Sequence, residues 1–181
     1  MIIGIDVDGV LRNFHDRLML LTKLKMPEIV LKNEIDHYYF KGVFDVDSNW
    51  FRNMYNKEWG EQLFLDGPPL PSNVFWLEEE INKQEHEFWC ISSQWTGNEA
   101  YTLGWLAKMK LNFKRVIFCS GKRKALEPVD MLVDDSLENL RGWRMHRGTD
   151  DGFILMEAPH NRDYKYDKRV KKLKEISKYI K

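Results

Sequence analysis

Residues 5–10 read IDVDGV, so Asp6 and Asp8 stand at the end of an apolar run that begins the chain. The run over residues 2–7 is apolar on both faces apart from Asp6, which is typical of a central parallel strand covered on both sides. A carboxylate at the end of a buried strand loses its hydration, so two of them need a partner that offsets this loss. The stretch therefore predicts the first strand of a parallel sheet and, at its end, a site that requires acidic groups.

The rest of the chain alternates predicted helices and strands. Strands are predicted over residues 87–91, 115–119, 130–134 and 153–156, and helices over residues 13–25, 73–84 (with Ser72 as N-cap), 99–110, 136–141 and 167–180. This alternation favours an α/β fold with a doubly wound parallel sheet. In such sheets ligands bind outside the carboxyl ends of the strands.

Residues 28–66 interrupt the alternation. They are rich in aromatic side chains, show no period-2 pattern, and end at the Gly67-Pro68-Pro69-Leu70-Pro71 segment, which is a strong turn signal. We interpret this part of the chain as a small helical cap inserted after the first strand. The expected domains are a core of residues 1–14 and 67–181 and a cap of residues 15–66.

The composition limits the classes of partner. The formal net charge is zero, so no overall field attracts nucleic acid or an acidic membrane. No apolar run approaches the length of about 18 residues that a membrane span requires. Cys90 and Cys119 lie in apolar runs and are interpreted as small buried residues, not as a disulfide or a metal pair. With no signal-peptide pattern at the N-terminus, these features predict a cytoplasmic protein.

Polar side chains follow four of the predicted strands. They are Asp6 and Asp8, Ser92 and Ser93, Lys122 and Lys124, and Asp134 and Asp135. Because the carboxyl ends of parallel strands meet at one edge of a sheet, these groups are expected to converge in one crevice.

Carboxylates crowded in this way repel one another unless a cation lies between them. Carboxylate oxygens, together with water and a substrate phosphate, suit Mg²⁺. A lysine would neutralise a phosphate, and a serine hydroxyl with nearby backbone N–H groups would hold its oxygens. The site is therefore predicted to catalyse phosphoryl transfer with Mg²⁺ as cofactor.

The stretch DVDGVL at residues 6–11 resembles motif I of the haloacid dehalogenase (HAD) superfamily. Ser92, a lysine of the basic loop and the Asp134-Asp135 pair follow in the order of motifs II, III and IV. The resemblance covers residues 1–14 and 68–160 and implies a HAD-like Rossmannoid core.

The same resemblance implies residue roles. Asp6 would be the nucleophile that forms an aspartyl-phosphate, and Asp8 would be first the general acid and then the general base. Mg²⁺ would be held by the Asp6 side chain, the Asp8 backbone carbonyl, and the carboxylates of Asp134 and Asp135. An acid at the position of Asp8 favours phosphatase chemistry within the superfamily.

Within this superfamily the chain is most similar to the 5′(3′)-deoxyribonucleotidase family. The similarity lies in DVDGVLRNF at residues 6–14, DMLVDDSLENL at residues 130–140 and GFILMEAPHNRDY at residues 152–164. It implies a phosphoric monoester hydrolase whose substrate is a small phosphate ester, namely a nucleoside monophosphate. The chain departs from the family at Ser92-Ser93, where Thr-Ser is usual, so a hydroxyl is kept but a methyl group is lost.

The identity of the motif III lysine stays open between two residues. Lys124 precedes Asp134 by ten residues, which is the family spacing, whereas the distance from the preceding strand favours Lys122. Lys124 is our first choice as the catalytic lysine, and Lys122 is kept as a substrate contact.

Further substrate contacts are expected next to these motifs. The candidates are Phe14, Ser93, Gln94 and Trp95, with Phe40, Phe44 and Trp50 as weaker aromatic candidates in the cap. Most aromatic rings of the cap are expected to form its own core. His160 is the one histidine expected near the site.

Three alternatives remain at this stage. The chain could dephosphorylate nucleic-acid ends, with the eight Lys and Arg residues of positions 165–181 as the binding surface. A nucleic-acid partner is the less favoured hypothesis. It could act on another small phosphate ester, or it could be a non-catalytic binding protein that kept the HAD fold. A homodimer is one option for its assembly.

Overall fold

The computed structural model of the protein describes residues 1–29, 44–94 and 97–180. Its strands are β1 (Ile2–Ile5), β2 (Glu87–Ser92), β3 (Arg115–Phe118), β4 (Met131–Asp134), β5 (Phe153–Met156) and β6 (Arg169–Val170). Its α-helices are α1 (Phe14–Lys25), α2 (Ser48–Glu58), α3 (Pro71–Lys83), α4 (Glu99–Lys108) and α5 (Leu137–Arg147). Shorter helical segments are a π-helix (Glu61–Leu65) and the 3₁₀-helices Gly121–Leu126, Pro159–Asn161 and Leu173–Lys178.

The described strands form a six-stranded sheet in the order β3-β2-β1-β4-β5-β6, and each neighbouring pair is parallel. In the centre, Ile5 lies opposite Cys90 on one side and Val133 on the other. The direction of winding reverses beside β1, which is where ligands bind in this class of sheet. The predicted doubly wound parallel fold, with IDVDGV at the end of a central strand, is confirmed.

Both faces of the sheet are buried. Cys90 and Met131 belong to one hydrophobic cluster, whereas their neighbours Trp89, Ile91 and Leu132 belong to another. Successive residues of a strand point to opposite faces, so the two clusters cover the two sides of the sheet. Cys90 and Cys119 are free thiols; Cys90 is buried as expected, whereas Cys119 is only half-buried.

A third hydrophobic cluster lies in the inserted part of the chain. It consists of Leu18, Leu21, Phe44, Phe51, Met54, Tyr55, Trp59, Leu63 and Phe64. Phe51 is at its centre, with ring centroids 4.4 Å from Phe44, 5.5 Å from Tyr55 and 6.3 Å from Trp59. The aromatic residues thus give the inserted segment a core of its own, and we keep residues 15–66 as the proposed extent of the cap.

The predicted C-terminal helix over residues 167–180 is wrong. Val170 lies in β6 opposite Met156 of β5, and the chain then forms the 3₁₀-helix that contains Leu173 and Ile176. All three apolar side chains are buried, as the pattern required. A spacing of three residues suits a 3₁₀-turn as well as an α-helix, so the pattern identified the buried residues but not their conformation.

Two helix boundaries also differ from the sequence predictions. Helix α3 begins at Pro71 with Leu70 as N-cap, because proline is favoured in the first helical position. Helix α5 extends beyond residue 141 to Arg147 and ends at Gly148, whose φ is 70°. In the described part of the chain, no helix is both long and apolar enough to cross a membrane.

Candidate active site

Three carboxylates meet at the carboxyl edge of the sheet. Asp6 follows β1, Asp134 is the last residue of β4, and Asp135 follows it. Each offers an oxygen within 4.8 Å of the other two, and all three residues are buried. The three carboxylates therefore lie close together, as the parallel arrangement of the strands predicted.

Lys124 lies between two of these carboxylates. Its Nζ is 2.8 Å from Asp6 Oδ2 and 2.7 Å from Asp134 Oδ2, and its side chain is fully buried. Burial would lower the pKa of Lys124, but Asp134 and Asp6 outweigh burial and raise it. Lys122, on the same 3₁₀-helix, is exposed and forms no ion pair with this cluster. The geometry thus favours Lys124 over Lys122.

Asp134 is fully engaged by hydrogen bonds. Its Oδ1 accepts from the Ser136 backbone N–H at 2.8 Å and from Asn139 Nδ2 at 3.0 Å. Its Oδ2 accepts from Lys124 Nζ at 2.7 Å and from Asn139 Nδ2 at 2.8 Å. These bonds hold both Asp134 and the lysine in place.

Asp135 differs sharply from its neighbour. It is 1% exposed, and neither carboxylate oxygen has a hydrogen-bond partner among the described residues. Burial, and then the charge of Asp134, raise its pKa well above the usual range. A buried carboxylate with no partner is costly unless a cation compensates it. The donor set here, buried carboxylate oxygens, fits a hard divalent cation such as Mg²⁺.

The environment of Asp6 also fits a divalent cation at this site. Burial raises its pKa to about 7, although Lys124 acts in the opposite direction. Its Oδ1 accepts the Val7 backbone N–H at 2.8 Å, so the side chain has a defined orientation. A cation beside Asp6 and Asp135 would favour the ionised forms of both at neutral pH.

Gly9 allows the chain to pass close to this cluster. Its φ is 80°, and a Cβ at this position would lie 1.9 Å from Asp135 Oδ2. Glycine is therefore required both by the backbone conformation and by the close approach.

Asp8 lies beside the cluster and is held by two residues. Its Oδ1 accepts from Arg12 Nε at 2.7 Å, and its Oδ2 accepts from Arg12 Nη2 at 3.0 Å and from Gln94 Nε2 at 2.9 Å. Gln94 Nε2 is also 3.4 Å from Ser92 Oγ, so Gln94 connects the ends of β1 and β2. Ser92 is buried, and Ser93 has a buried Oγ without a hydrogen-bond partner among the described residues.

The aromatic candidates have different positions. Phe14 begins α1, is half-buried, and stacks on Phe64 with ring centroids 5.7 Å apart and an interplanar angle of 17°. Phe44 is buried in the cap cluster, and Trp50 is 47% exposed.

The other two aromatic candidates, Trp95 and Phe40, lie outside the described residues.

Two buried histidines lie next to Asp135, and sequence reasoning had expected only one. His160 Nε2 is 3.0 Å from the Asp135 carbonyl oxygen and 3.7 Å from its Oδ2. The second is His15, whose ring centroid is 5.0 Å from that of His160. Asn161 Nδ2 donates to the same Asp135 carbonyl at 2.7 Å. The loop after β5 thus positions the backbone of Asp135.

Sequence reasoning also missed Arg12 and Asn139. Arg12 stands four residues after Asp8, a spacing that signals pairing on a helix, but residues 8–12 form a turn before α1. Asn139 stands five residues after Asp134, and no periodic pattern connects the two. His15 likewise has no spacing that relates it to His160.

A family model described as 5′ nucleotidase, deoxy (pyrimidine), cytosolic type C protein (NT5C) matches residues 1–181. The chain belongs to this family. A comparison with curated proteins gave no match.

Solved structures with the same fold include HAD hydrolases at low sequence identity. YfnB from Bacillus subtilis, solved bound to magnesium, has a TM-score of 0.62 at 14% identity over 98% of this chain and 97% of its own. CbbY from Rhodobacter sphaeroides, in complex with phosphate, has a TM-score of 0.60 at 14% identity, covering 97% and 95%. A HAD-superfamily hydrolase from Geobacter sulfurreducens has a TM-score of 0.59 at 16% identity, covering 99% and 96%.

These likenesses establish the HAD fold, and the family match establishes the NT5C assignment. The resemblance noted in the sequence is thereby confirmed. This NT5C protein is a phosphoric monoester hydrolase of the 5′-nucleotidase type.

Proposed function

We propose that this NT5C protein is a Mg²⁺-dependent phosphatase that hydrolyses nucleoside monophosphates through an aspartyl-phosphate. The observation that carries the proposal is the buried Lys124 between Asp6 and Asp134, beside the Asp135 carboxylate, whose oxygens accept no hydrogen bond from the described residues. This arrangement combines a nucleophile, a fixed positive charge and a place for a cation. The family description supports pyrimidine deoxynucleotides as the substrate class and the cytosol as the compartment.

In the proposed reaction, an Asp6 oxygen attacks phosphorus and forms a new O–P bond as the bond to the nucleoside oxygen breaks. The leaving oxygen takes a proton from Asp8. Water then gives a proton to Asp8 and attacks phosphorus, which releases inorganic phosphate and restores the Asp6 carboxylate. Lys124 balances the negative charge that collects around Asp6 during both steps.

Asp6 and Asp135, with the Asp8 backbone carbonyl, are the residues that would hold Mg²⁺. When bound, the cation neutralises charge on the carboxylates and on the phosphoryl oxygens. The sequence had assigned Asp134 to the cation as well, but four hydrogen bonds engage its two oxygens. We therefore assign Asp134 the role of orienting Lys124.

The substrate contacts follow from the same geometry. Ser92 and Ser93 are proposed to bind phosphate oxygens, and Gln94 to link this phosphate site to Asp8. Phe14 lies next to His15 at the entrance to the cap and offers a half-buried ring on which a nucleobase can stack. Trp95, which lies outside the described residues, stays a predicted contact.

A substrate panel with Mg²⁺ tests the function. It contains pyrimidine and purine deoxy- and ribonucleotides with 5′ or 3′ phosphate, sugar phosphates, and phosphorylated oligonucleotides. We expect the highest kcat/KM for pyrimidine deoxynucleoside 5′-monophosphates, no turnover in EDTA, and recovery on adding Mg²⁺. A preference for oligonucleotides would support the nucleic-acid alternative, whose proposed basic helix is absent from the described C-terminal residues. No turnover on any ester would support the non-catalytic alternative.

The Asp6→Asn variant tests the mechanism. We expect kcat to fall by more than about three orders of magnitude while the protein stays folded, because the nucleophile is lost. Asp151→Asn is the matched control, since the Asp151 side chain is 80% exposed and forms an ion pair with Lys168, away from the carboxylate cluster. Substantial activity in Asp6→Asn would contradict the covalent mechanism.

A further inference from the structure

Arg12 is a fully buried arginine that contacts both carboxylate oxygens of Asp8 through one edge of its guanidinium group. Nε donates to Asp8 Oδ1 at 2.7 Å, and Nη2 donates to Asp8 Oδ2 at 3.0 Å. Such a two-point bond fixes the plane of a carboxylate as well as its position. Lysine, with a single ammonium group, cannot reproduce this geometry.

The rest of the guanidinium group contacts the cap and the core. Nη1 donates to the Phe64 carbonyl at the end of the cap, and Nη2 donates to Thr102 Oγ1 of α4 at 3.2 Å. The group also lies 5.2 Å from the centroid of the Phe64 ring and 5.3 Å from that of Trp105. Each of the three guanidinium nitrogens therefore has an acceptor, which compensates the burial of its charge.

Arg12 also lies where both connections between cap and core pass. Its backbone forms a bridge with Pro69, and the next residue, Asn13, donates its N–H to the Pro68 carbonyl at 2.8 Å. A Cβ on Gly67 would lie 2.6 Å from Arg12 Cδ, so the returning chain packs directly on the arginine side chain. The Arg12 side chain thus contacts both Asp8 and the junction with the cap, so it links the orientation of Asp8 to the position of the cap.

We propose that Arg12 is a positioning residue: it holds the Asp8 carboxylate in the orientation from which Asp8 activates water. Through its contact with Phe64, Arg12 also aligns Asp8 with the cap. The inference rests on the proposed function, in which Asp8 is the general base of the second step. With a substrate whose leaving group needs no proton, loss of the two-point bond should slow hydrolysis of the aspartyl-phosphate more than its formation. A merely structural role would slow both steps together.

The test uses Arg12→Lys with 4-nitrophenyl phosphate and Mg²⁺. Nitrophenolate leaves without taking a proton, so formation of the aspartyl-phosphate does not depend on Asp8 as an acid. We expect the burst rate of nitrophenolate release to stay within about threefold of wild type, and kcat to fall by about 10- to 100-fold. The fraction of enzyme that carries a phosphoryl group after acid quenching, measured by intact-protein mass, should rise.

Equal losses of burst rate and kcat, or no change in either, would overturn the inference. If Arg12→Lys does not fold, Thr102→Val is the second variant. It removes one acceptor of Arg12 Nη2 and should also raise the fraction of phosphorylated enzyme. An unchanged fraction in Thr102→Val would then overturn the inference.

Lys108→Met is the matched control. It removes the exposed ion pair between Lys108 and Asp66, 3.0 Å long, from the same junction without a contact to Asp8. We expect wild-type burst rate, kcat and phosphorylated fraction in this variant, and a shift like that of Arg12→Lys would count against the proposal. Wild-type protein that never forms a phosphoenzyme dependent on Asp6 would instead contradict the proposed function, whatever Arg12 does.

Discussion

His15 is a buried histidine in the first turn of α1, with 8% of its surface exposed. Burial, and then the charge of His160, lower its pKa to about 4, against the opposing effects of Asp8 and Asp16. In the unfolded chain the pKa is near the usual 6.5, so protons bind the unfolded state preferentially as the pH falls from 6.5 towards 4. We expect His15 to lower the free energy of unfolding by about 2 kcal/mol between pH 7 and pH 5.

The measurement is urea unfolding of wild type and His15→Gln at both pH values. Asp6 titrates in both proteins, so the difference between them reports His15 together with its coupling to His160. His146→Gln, at an exposed position of α5, should behave like wild type. Equal losses of stability in wild type and His15→Gln would show that His15 does not titrate in this way.

At the scale of elements, Asn73 joins helix α3 to two segments far apart in sequence. Its Nδ2 donates to the Val10 carbonyl at 2.7 Å, and its Oδ1 accepts the Leu173 backbone N–H at 2.9 Å. Asn73→Ala would leave both buried backbone groups unpaired and should lower the free energy of unfolding by about 2–5 kcal/mol in urea titrations. Asn82→Ala, at an exposed site of the same helix, should change it by less than about 0.5 kcal/mol. Similar losses in both variants would contradict this role.

At the scale of the whole molecule, the cap and the sheet have separate hydrophobic clusters. Phe51 is 1% exposed at the centre of the cap cluster, and Phe51→Ala should weaken local packing by about 3–5 kcal/mol. We expect faster hydrogen exchange in peptides of residues 14–29 and 44–66 and unchanged protection in the sheet. Loss of protection in the sheet as well would show that the two parts unfold as one unit, against the proposed division at residues 15–66.

Much of the fold can be predicted from consecutive residues. The apolar run before Asp6 and the alternation of helices and strands predicted the parallel sheet, because residues close in sequence carry the side-chain period and the burial pattern. The C-terminal segment shows the limit of this reasoning. Val170, Leu173 and Ile176 are buried as expected, yet the hydrogen bonds of β5 and the three-residue spacing make a strand and a 3₁₀-helix there instead of an α-helix.

The site residues likewise divide into those that the sequence predicts and those that only the tertiary structure identifies. Asp6 and the Asp134-Asp135 pair could be expected at one edge, since the carboxyl ends of parallel strands meet there. The ten-residue spacing to Asp134 favoured Lys124 over Lys122, although the distance from the preceding strand favoured Lys122. No local pattern distinguished the roles of Asp134 and Asp135, because neighbouring residues of one type differ only in the direction that the backbone gives each side chain. Their partners come from segments distant in sequence, as do the contacts that unite Arg12 with the cap. Sequence periodicity reports which residues are buried, whereas the packing of distant segments determines what each buried polar group contacts.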